Sequence, residues 1–200
     1  MKVSVCIPVY GVEKYIERCA RSLFEQTMKD DIEFIFVDDC TPDKSIEILK
    51  KVLSEYPERA SQVKIIRHEV NKGVMAARNT ALHHASGDYI IHCDPDDWVD
   101  KNMYEMMYRA AERENADIVC CSFALEYDNS KRVVIKLPKN CANSLQSLLD
   151  CCLYWSLVTK LVRAKIARRP DIYAPEDLFF SEDLLITAQI LTHVNKSVFI

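Results

Sequence analysis

The chain has 200 residues, 49% of them hydrophobic and 28% charged, the composition of an ordinary globular protein with enough chain for one sizeable core. Its formal charge of −4 argues against a nucleic-acid partner, because a phosphate backbone is met by a basic face. No apolar run approaches the length of a membrane span, and the first residues lack a signal peptide's charged-then-apolar layout.

Short apolar runs alternate with helical segments. Val3 to Val9 reads as a strand, and Val12 to Gln26 as a helix with Tyr15, Ile16, Cys19 and Leu23 on its apolar repeat. Ile32 to Val37 is near-continuously apolar, as in strands buried on both faces of a parallel sheet. It ends at Asp38-Asp39. Thr41-Pro42-Asp43 then reads as N-cap, first-turn proline and acidic first turn of a helix reaching about Tyr56. Val63 to Arg67 is a third strand, Asn71-Lys72-Gly73 a turn, and Val74 to Ser86 a helix ended by Gly87. Tyr89 to Cys93 is a fourth strand, Val99 to Asn115 a helix, and Ile118 to Phe123 another strand. Val133 to Leu137 follows as an edge strand, then helical patterns over Ser144 to Val162 and Glu182 to Val194. Strand–helix alternation predicts an α/β sandwich with a largely parallel sheet. No repeat or low-complexity linker divides the chain, so one domain is expected. The nine cysteines form no zinc-type ladder. Cys6, Cys93 and Cys120 lie in apolar runs, where a free thiol acts as a small hydrophobe, and reduced thiols in a cytosolic protein are expected.

The run Asp94-Pro95-Asp96-Asp97 carries the most chemical information. In a strand, residues i and i+2 share a face, so Asp94 and Asp96 can address one point. Crowded carboxylates call for a cation, and hard oxygen ligands suit Mg²⁺ or Mn²⁺, whose shell is completed by water and substrate phosphates. The other reading is an acidic loop whose Asp97 and Asp100 open the next helix. Asp38-Asp39 ends a different strand. In open α/β folds ligands bind beyond the carboxyl ends of the strands, so the two acidic sites support each other. Asp39 either hydrogen-bonds a nucleotide's base or ribose, or stabilises the dipole of the next helix. Pro8-Val9-Tyr10-Gly11 closes the first strand either as a base-stacking turn or as a plain strand-to-helix connection. Arg78, beside Asn79, either meets a diphosphate or pairs with one of the aspartates. Glu182-Asp183, behind Ser181 as N-cap and the Phe179-Phe180 pair, holds either helix-start charges or a general base. The histidines show no metal-ligand spacing and take structural or surface roles.

Together these residues resemble a known family. Val3 to Tyr10, Glu13-Lys14-Tyr15-Ile16, Ser22-Leu23, Gln26-Thr27, Phe36 to Asp39, Asn71-Lys72-Gly73, Ala77-Arg78-Asn79, Gly87 to Ile90 and Asp94 to Trp98 succeed one another as in the family 2 glycosyltransferases of GT-A fold. The similarity is dense over residues 2–125 and thinner through Lys160-Leu161 to Asp183. The resemblance implies a three-layer GT-A sandwich with a mainly parallel central sheet. It implies inverting transfer of a sugar from a nucleotide-sugar, a UDP-sugar in many members, to a hydroxyl of a glycan or lipid-linked glycan, in the cytoplasm or at the inner membrane face. Residues 1–98 would form the donor half and 99–200 the acceptor half. By position, Pro8, Tyr10 and Asp39 border the nucleoside, with Arg78 at the diphosphate. Asp96 holds Mn²⁺ or Mg²⁺, Asp94 the ribose or a metal-bound water, and Asp183 is the base.

This chain also departs from the family pattern. Cys40 stands where glycine is common, Pro95 where serine is frequent, and Leu157-Val158-Thr159 where Trp-Asn often precedes the lysine. The Gln-x-x-Arg-Trp motif of processive synthases is absent. Ser197 to Ile200 reads like the start of a strand, so a truncated core is expected. A sugar nucleotidyltransferase would need a glycine-rich phosphate loop after the first strand, and the chain has only three glycines. A receiver domain would place its acidic pair after that strand. A nucleotide-sugar-binding domain without turnover stays open.

Overall fold

The computed structural model describes residues 1–127, 131–137, 145–149, 153–175 and 181–200. The first strands, β1 (Val3–Val9) and β2 (Ile32–Asp38), are buried at every position. Strands covered on both faces need no polar alternation, which is why both read as apolar runs. Between and after them come the helices α1 (Ile16–Phe24) and α2 (Ser45–Ser54), then β3 (Val63–Arg67), α3 (Val74–His84), β4 (Tyr89–His92), α4 (Met103–Glu114) and β5 (Ile118–Cys120). A hairpin of β6 (Phe123–Glu126) and β7 (Arg132–Ile135) forms a separate two-stranded sheet. The last elements are α5 (Leu145–Leu149), β8 (Lys160–Arg163), α6 (Ala164–Ala167), α7 (Glu182–Leu191) and β9 (Ser197–Phe199).

The main sheet has seven strands in the order β3-β2-β1-β4-β8-β5-β9. Its pairs are parallel except at β8, which runs antiparallel to both β4 and β5. Alternate side chains of β1 go to opposite faces. Val3, Val5, Ile7 and Val9 pack with α1, α2 and α4, whereas Cys6 packs with α3, α6 and α7. Two core layers on one sheet make the α/β sandwich that the alternation predicts, in the three-layer form that the resemblance implies. Among the described residues no helix is long and apolar enough to cross a membrane.

Helix starts and the second half depart from the expected elements. The first helix begins at Ile16 rather than Val12, and the second at Ser45 rather than Thr41. Lys44, not Thr41, is the N-cap of the second, and Asp43 before it accepts the Ser45 N–H on Oδ1 at 3.0 Å. The third helix stops at His84, and Gly87 is not its cap. The glycine is needed for close approach instead: a Cβ there would lie 2.7 Å from Ser4 Oγ and 2.8 Å from Ser4 N. The helix expected from Val99 starts at Met103, and β5 ends at Cys120 rather than Phe123. Ser144 to Val162 is not one helix. Its described part is α5, a 3₁₀ turn over Leu157–Thr159 and β8. Phe179 and Phe180 lie outside the described residues.

Candidate active site

Because β4, β1 and β2 are parallel neighbours, their carboxyl ends open on one edge of the sheet. The Cys93 N–H donates to the Cys6 carbonyl at 3.0 Å and the Asp39 N–H to the Val9 carbonyl at 3.0 Å, so the two acidic sites flank the end of β1. Pro8 is buried in β1, whereas the Tyr10 side chain just past it is 51% exposed. Asp39 is buried and engaged by its own chain. Oδ1 accepts from Lys72 N–H at 2.9 Å and lies 2.7 Å from His68 Nδ1, and Oδ2 accepts from Gly73 N–H at 2.8 Å. It anchors the loop before α3 and stabilises no dipole at α2. Asp38 accepts the Thr41 N–H at 2.8 Å, bending the chain through Cys40, whose φ is +57°. That left-handed angle is one that glycine adopts more readily than a residue with a side chain.

The acidic stretch after β4 is a turn rather than strand. β4 ends at His92, and the Asp97 N–H donates back to the Asp94 carbonyl at 3.1 Å around Pro95, the proline occupying the second turn position that its fixed φ suits. Ser22 on α1 and Gln26 just past its end pin the segment between this turn and α4. Ser22 Oγ accepts the Val99 N–H at 3.2 Å, and Gln26 Nε2 donates to the Asp100 carbonyl at 2.9 Å. Arg18 stacks on Trp98, its guanidinium carbon 3.0 Å from the ring centre, and pairs with Glu126 of β6 at 3.3 Å. Burial, together with Asp96 and Asp94, pushes the Asp97 carboxyl up to about 6. Among the described residues Asp96 and Asp97 pair with no cation, and no three His, Cys, Asp or Glu side chains are grouped to hold a metal by themselves. Two hard carboxylates without a cation of their own, next to the Arg78-paired Asp94, fit a divalent ion whose remaining ligands are substrate oxygens and water.

Arg78, buried on α3, joins the acidic turn to α7. It donates to Asp94 Oδ1 at 2.9 Å and to Asp183 Oδ1 at 2.6 Å, with Glu182 3.7 Å away. Burial opposes its charge, but the two carboxylates more than compensate and hold the guanidinium cationic. Burial raises the Asp94 carboxyl, with Arg78 working against it and the Asp183 and Asp96 charges adding to it. Asp183 Oδ2 also accepts the Leu157 N–H at 3.0 Å, so both its oxygens are oriented. Ser181 precedes α7 with φ +66° and makes no side-chain cap bond. Thus Asp94, Arg78 and Asp183 come together, with Asp96 and Asp97 on the same turn. Tyr10 and Asp39 stand along the neighbouring strand ends.

Sequence reasoning missed three contributors. His92, the last residue of β4, has a buried Nδ1 without a hydrogen-bond partner. Burial, helped by Arg78, pushes its imidazole down to about 3, so it is neutral there. Lys160, also buried, donates to the carbonyls of Tyr154 at 2.5 Å and Ser156 at 2.6 Å, and burial lowers its ammonium from the usual range. His92 and Lys160 line a cavity of about 40 Å³ together with Arg78 and Leu157, the two residues that hold Asp183. The third is the Ser22–Gln26 clamp, visible in the sequence only as part of the family pattern. The expected helix, carried through Gln26, would have put both residues on one face, and that spacing of four was the available signal.

The family model for glycosyl transferase family 2 matches residues 4–162. The chain belongs to this family. Among its relatives, a Bacillus subtilis protein named as the uncharacterized glycosyltransferase EpsJ is 33% identical over 189 residues, covering 90% of this chain and 53% of that protein. TarS of Staphylococcus aureus, a poly(ribitol-phosphate) β-N-acetylglucosaminyltransferase, is 29% identical over 198 residues, 98% of this chain and 33% of TarS. The chain therefore spans about half the length of one relative and a third of the other. A crystal structure of TarS residues 1–349 in complex with UDP superposes with a TM-score of 0.83 at 26% identity, covering all of this chain and 58% of that one. A Pyrobaculum calidifontis mannosyltransferase, 18% identical with a TM-score of 0.73, shares the fold. The architecture is the GT-A sandwich of this family.

Proposed function

We propose that this chain is the catalytic core of an inverting glycosyltransferase that moves a sugar from a UDP-sugar to a hydroxyl of a glycan or lipid-linked glycan in surface-polysaccharide synthesis. The observation that carries the proposal is the Arg78 bridge. It brings Asp183, 105 residues away, and Asp94 onto one guanidinium at the carboxyl edge of the sheet. Family membership and likeness to a UDP-bound relative support the donor class. Residues 1–98 serve as the donor half, with Pro8, Tyr10 and Asp39 along the nucleoside, Arg78 at the diphosphate and Asp94 near the ribose. Residues 99–200 serve as the acceptor half. The six free cysteines among the described residues fit a reducing compartment, the cytoplasm or the inner membrane face where a lipid-linked acceptor would lie.

In this reading Asp183 takes the proton of the acceptor hydroxyl as that oxygen attacks the anomeric carbon from the side opposite the diphosphate. Its two oxygens are held by Arg78 and by the Leu157 N–H, which fixes the carboxylate before substrate arrives and limits reorganisation in the transition state. A divalent cation on Asp96 and Asp94 supplies, when bound, Lewis-acid neutralisation of the leaving diphosphate. General-base assistance contributes about 10²–10⁴-fold, so positioning and charge neutralisation supply most of the acceleration. Measuring UDP release from a panel of UDP-sugars tests this. Asp183→Asn is expected to lower release by about 10²–10⁴-fold while UDP still binds. Undiminished release would remove Asp183 from the role, and UDP binding without release of any sugar from the unsubstituted chain would favour a donor-binding domain without turnover.

A further inference from the structure

We propose that the stacked rings of Phe123, Tyr154 and Trp155 are an acceptor subsite that receives the apolar face of a pyranose ring. The proposal rests on the transferase reading above and adds the class of acceptor sugar. Phe123 and Tyr154 have ring centres 4.5 Å apart, and Tyr154 and Trp155 4.7 Å apart with planes only 20° from parallel. The stack is braced from within, yet the outermost residue, Trp155, remains 42% exposed. Stacked on its neighbours, the indole offers water a broad flat apolar face with a polar N–H at its edge.

Its position says what covers it. The Trp155 carbonyl accepts the Thr187 hydroxyl at 2.6 Å, and two residues on, the Leu157 N–H donates to Asp183 at 3.0 Å. Thr187 and Asp183 are four apart on α7 and share a helix face. On the other side of the same segment, the Tyr154 and Ser156 carbonyls are held by Lys160. Segment 154–157 is therefore strung between β8 and the helix that carries the base. Two residues of chain span at most about 7 Å, so the Trp155 backbone lies within one or two sugar rings of Asp183. The far end of the stack belongs to β6, whose Glu126 reaches the Asp94–Trp98 turn through Arg18. Trp155 thus belongs to the short segment that orients Asp183, and Phe123 to the strand whose Glu126 meets Arg18 beside Trp98. The axial C–H groups of a pyranose form an apolar face that lies flat on an indole, whereas the open chain of ribitol offers no such face.

Trp155 can report on itself, since the chain has only two tryptophans. In a Trp98→Phe background, the methyl glycosides of glucose, galactose, mannose and N-acetylglucosamine are titrated against the Trp155 fluorescence, with ribitol as the open-chain comparison. A saturable change with at least one pyranoside and none with ribitol is expected. Calorimetry with that pyranoside should then show about tenfold weaker binding in Trp155→Ala, recovery in Trp155→Phe, and UDP affinity as in the unsubstituted chain. No saturable change with any pyranoside, or an equal one with ribitol, overturns the proposal. So does a Trp155→Ala variant that loses UDP and pyranoside binding together, since that marks a residue that only maintains the fold. Failure of UDP-sugar turnover in the unsubstituted chain would instead strike the transferase reading, which the fluorescence titration does not measure.

Discussion

Cys40 sits at φ +57° between the Asp38–Asp39 pair and Thr41. A left-handed angle costs a residue with a side chain about 1–2 kcal/mol, and glycine loses about 0.5–1 kcal/mol through its freer unfolded chain. The first effect is larger, so Cys40→Gly should stabilise the protein by up to about 1 kcal/mol, read as a raised urea midpoint at unchanged slope; a lowered midpoint would show that the thiol's packing outweighs the strain. Glu33 is a second case. Burial alone would push its carboxyl up, but Lys64, the Ser4 hydroxyl and the Ser86 N–H and hydroxyl hold it down at about 2, from an ordinary 4.5. A carboxyl depressed in the folded state stabilises fully above its unfolded value and loses that contribution as pH falls toward the folded one. Stability should therefore drop between about pH 4.5 and pH 2, by about 3 kcal/mol from this group, and Glu33→Gln should flatten that part of a urea-denaturation profile. An unchanged slope would remove Glu33 from the acid response. At this scale the aspartates at strand ends were legible because apolar runs stop abruptly at them. The Arg78–Asp183 pair was not, because nothing local reveals a contact across 105 residues. Nor was Glu33 as a buried ion-pair partner, since one acid inside an apolar strand has no visible partner in the sequence.

The turn from α1 into β2 shows how an element can depend on one distant side chain. Arg59, in a 3₁₀ turn over Pro57–Gln62, is 1% exposed. Its guanidinium donates to the carbonyls of Phe24, Gln26, Met28 and Lys29 and to the Gln62 side chain, at 2.7–3.1 Å. It thereby satisfies the carbonyls left open where α1 ends. Arg59→Met keeps the volume and strands those acceptors, which should destabilise the chain by about 3–5 kcal/mol in chemical denaturation. A loss under about 1 kcal/mol would mean that water takes over the carbonyls. β1 and β2 were readable because burial on both faces writes a nearly uninterrupted apolar run, whereas β3, only partly buried, showed as a short apolar stretch between charged residues. The second half was not. Between Ser144 and Val162 the apolar spacing suits a helix, but tertiary pairing claims Lys160–Arg163 as β8 between β4 and β5. Short apolar runs do not distinguish a buried strand from a helix, and the partners that decide it lie far away in sequence. Helix starts differ for another reason: Asp43 captures the Ser45 N–H and hydroxyl, and the N-cap is Lys44, three residues later than the Thr-Pro-Asp pattern suggests.

At the scale of the whole molecule, parallel pairing gathers chemistry that the chain keeps apart. β4 and β2 flank β1, so Asp94 and Asp39 stand on either side of Tyr10, and α7 folds back to set Asp183 against Arg78. The alternation of elements made the sandwich and its ligand edge legible, but the order of strands beyond β4 was not, because β8 reverses direction and enters the sheet before β5. The donor site is the claim on which the rest depends: a turn of crowded carboxylates beside a nucleoside cleft. Calorimetric titration of UDP with and without Mn²⁺, on this chain and on Asp96→Ala, tests it most directly. Binding that tightens at least tenfold, about 1.4 kcal/mol, when Mn²⁺ is present, with that gain lost in Asp96→Ala, is the expected result. UDP affinity indifferent to Mn²⁺, or a gain that survives Asp96→Ala, would contradict a metal-assisted donor site at this turn.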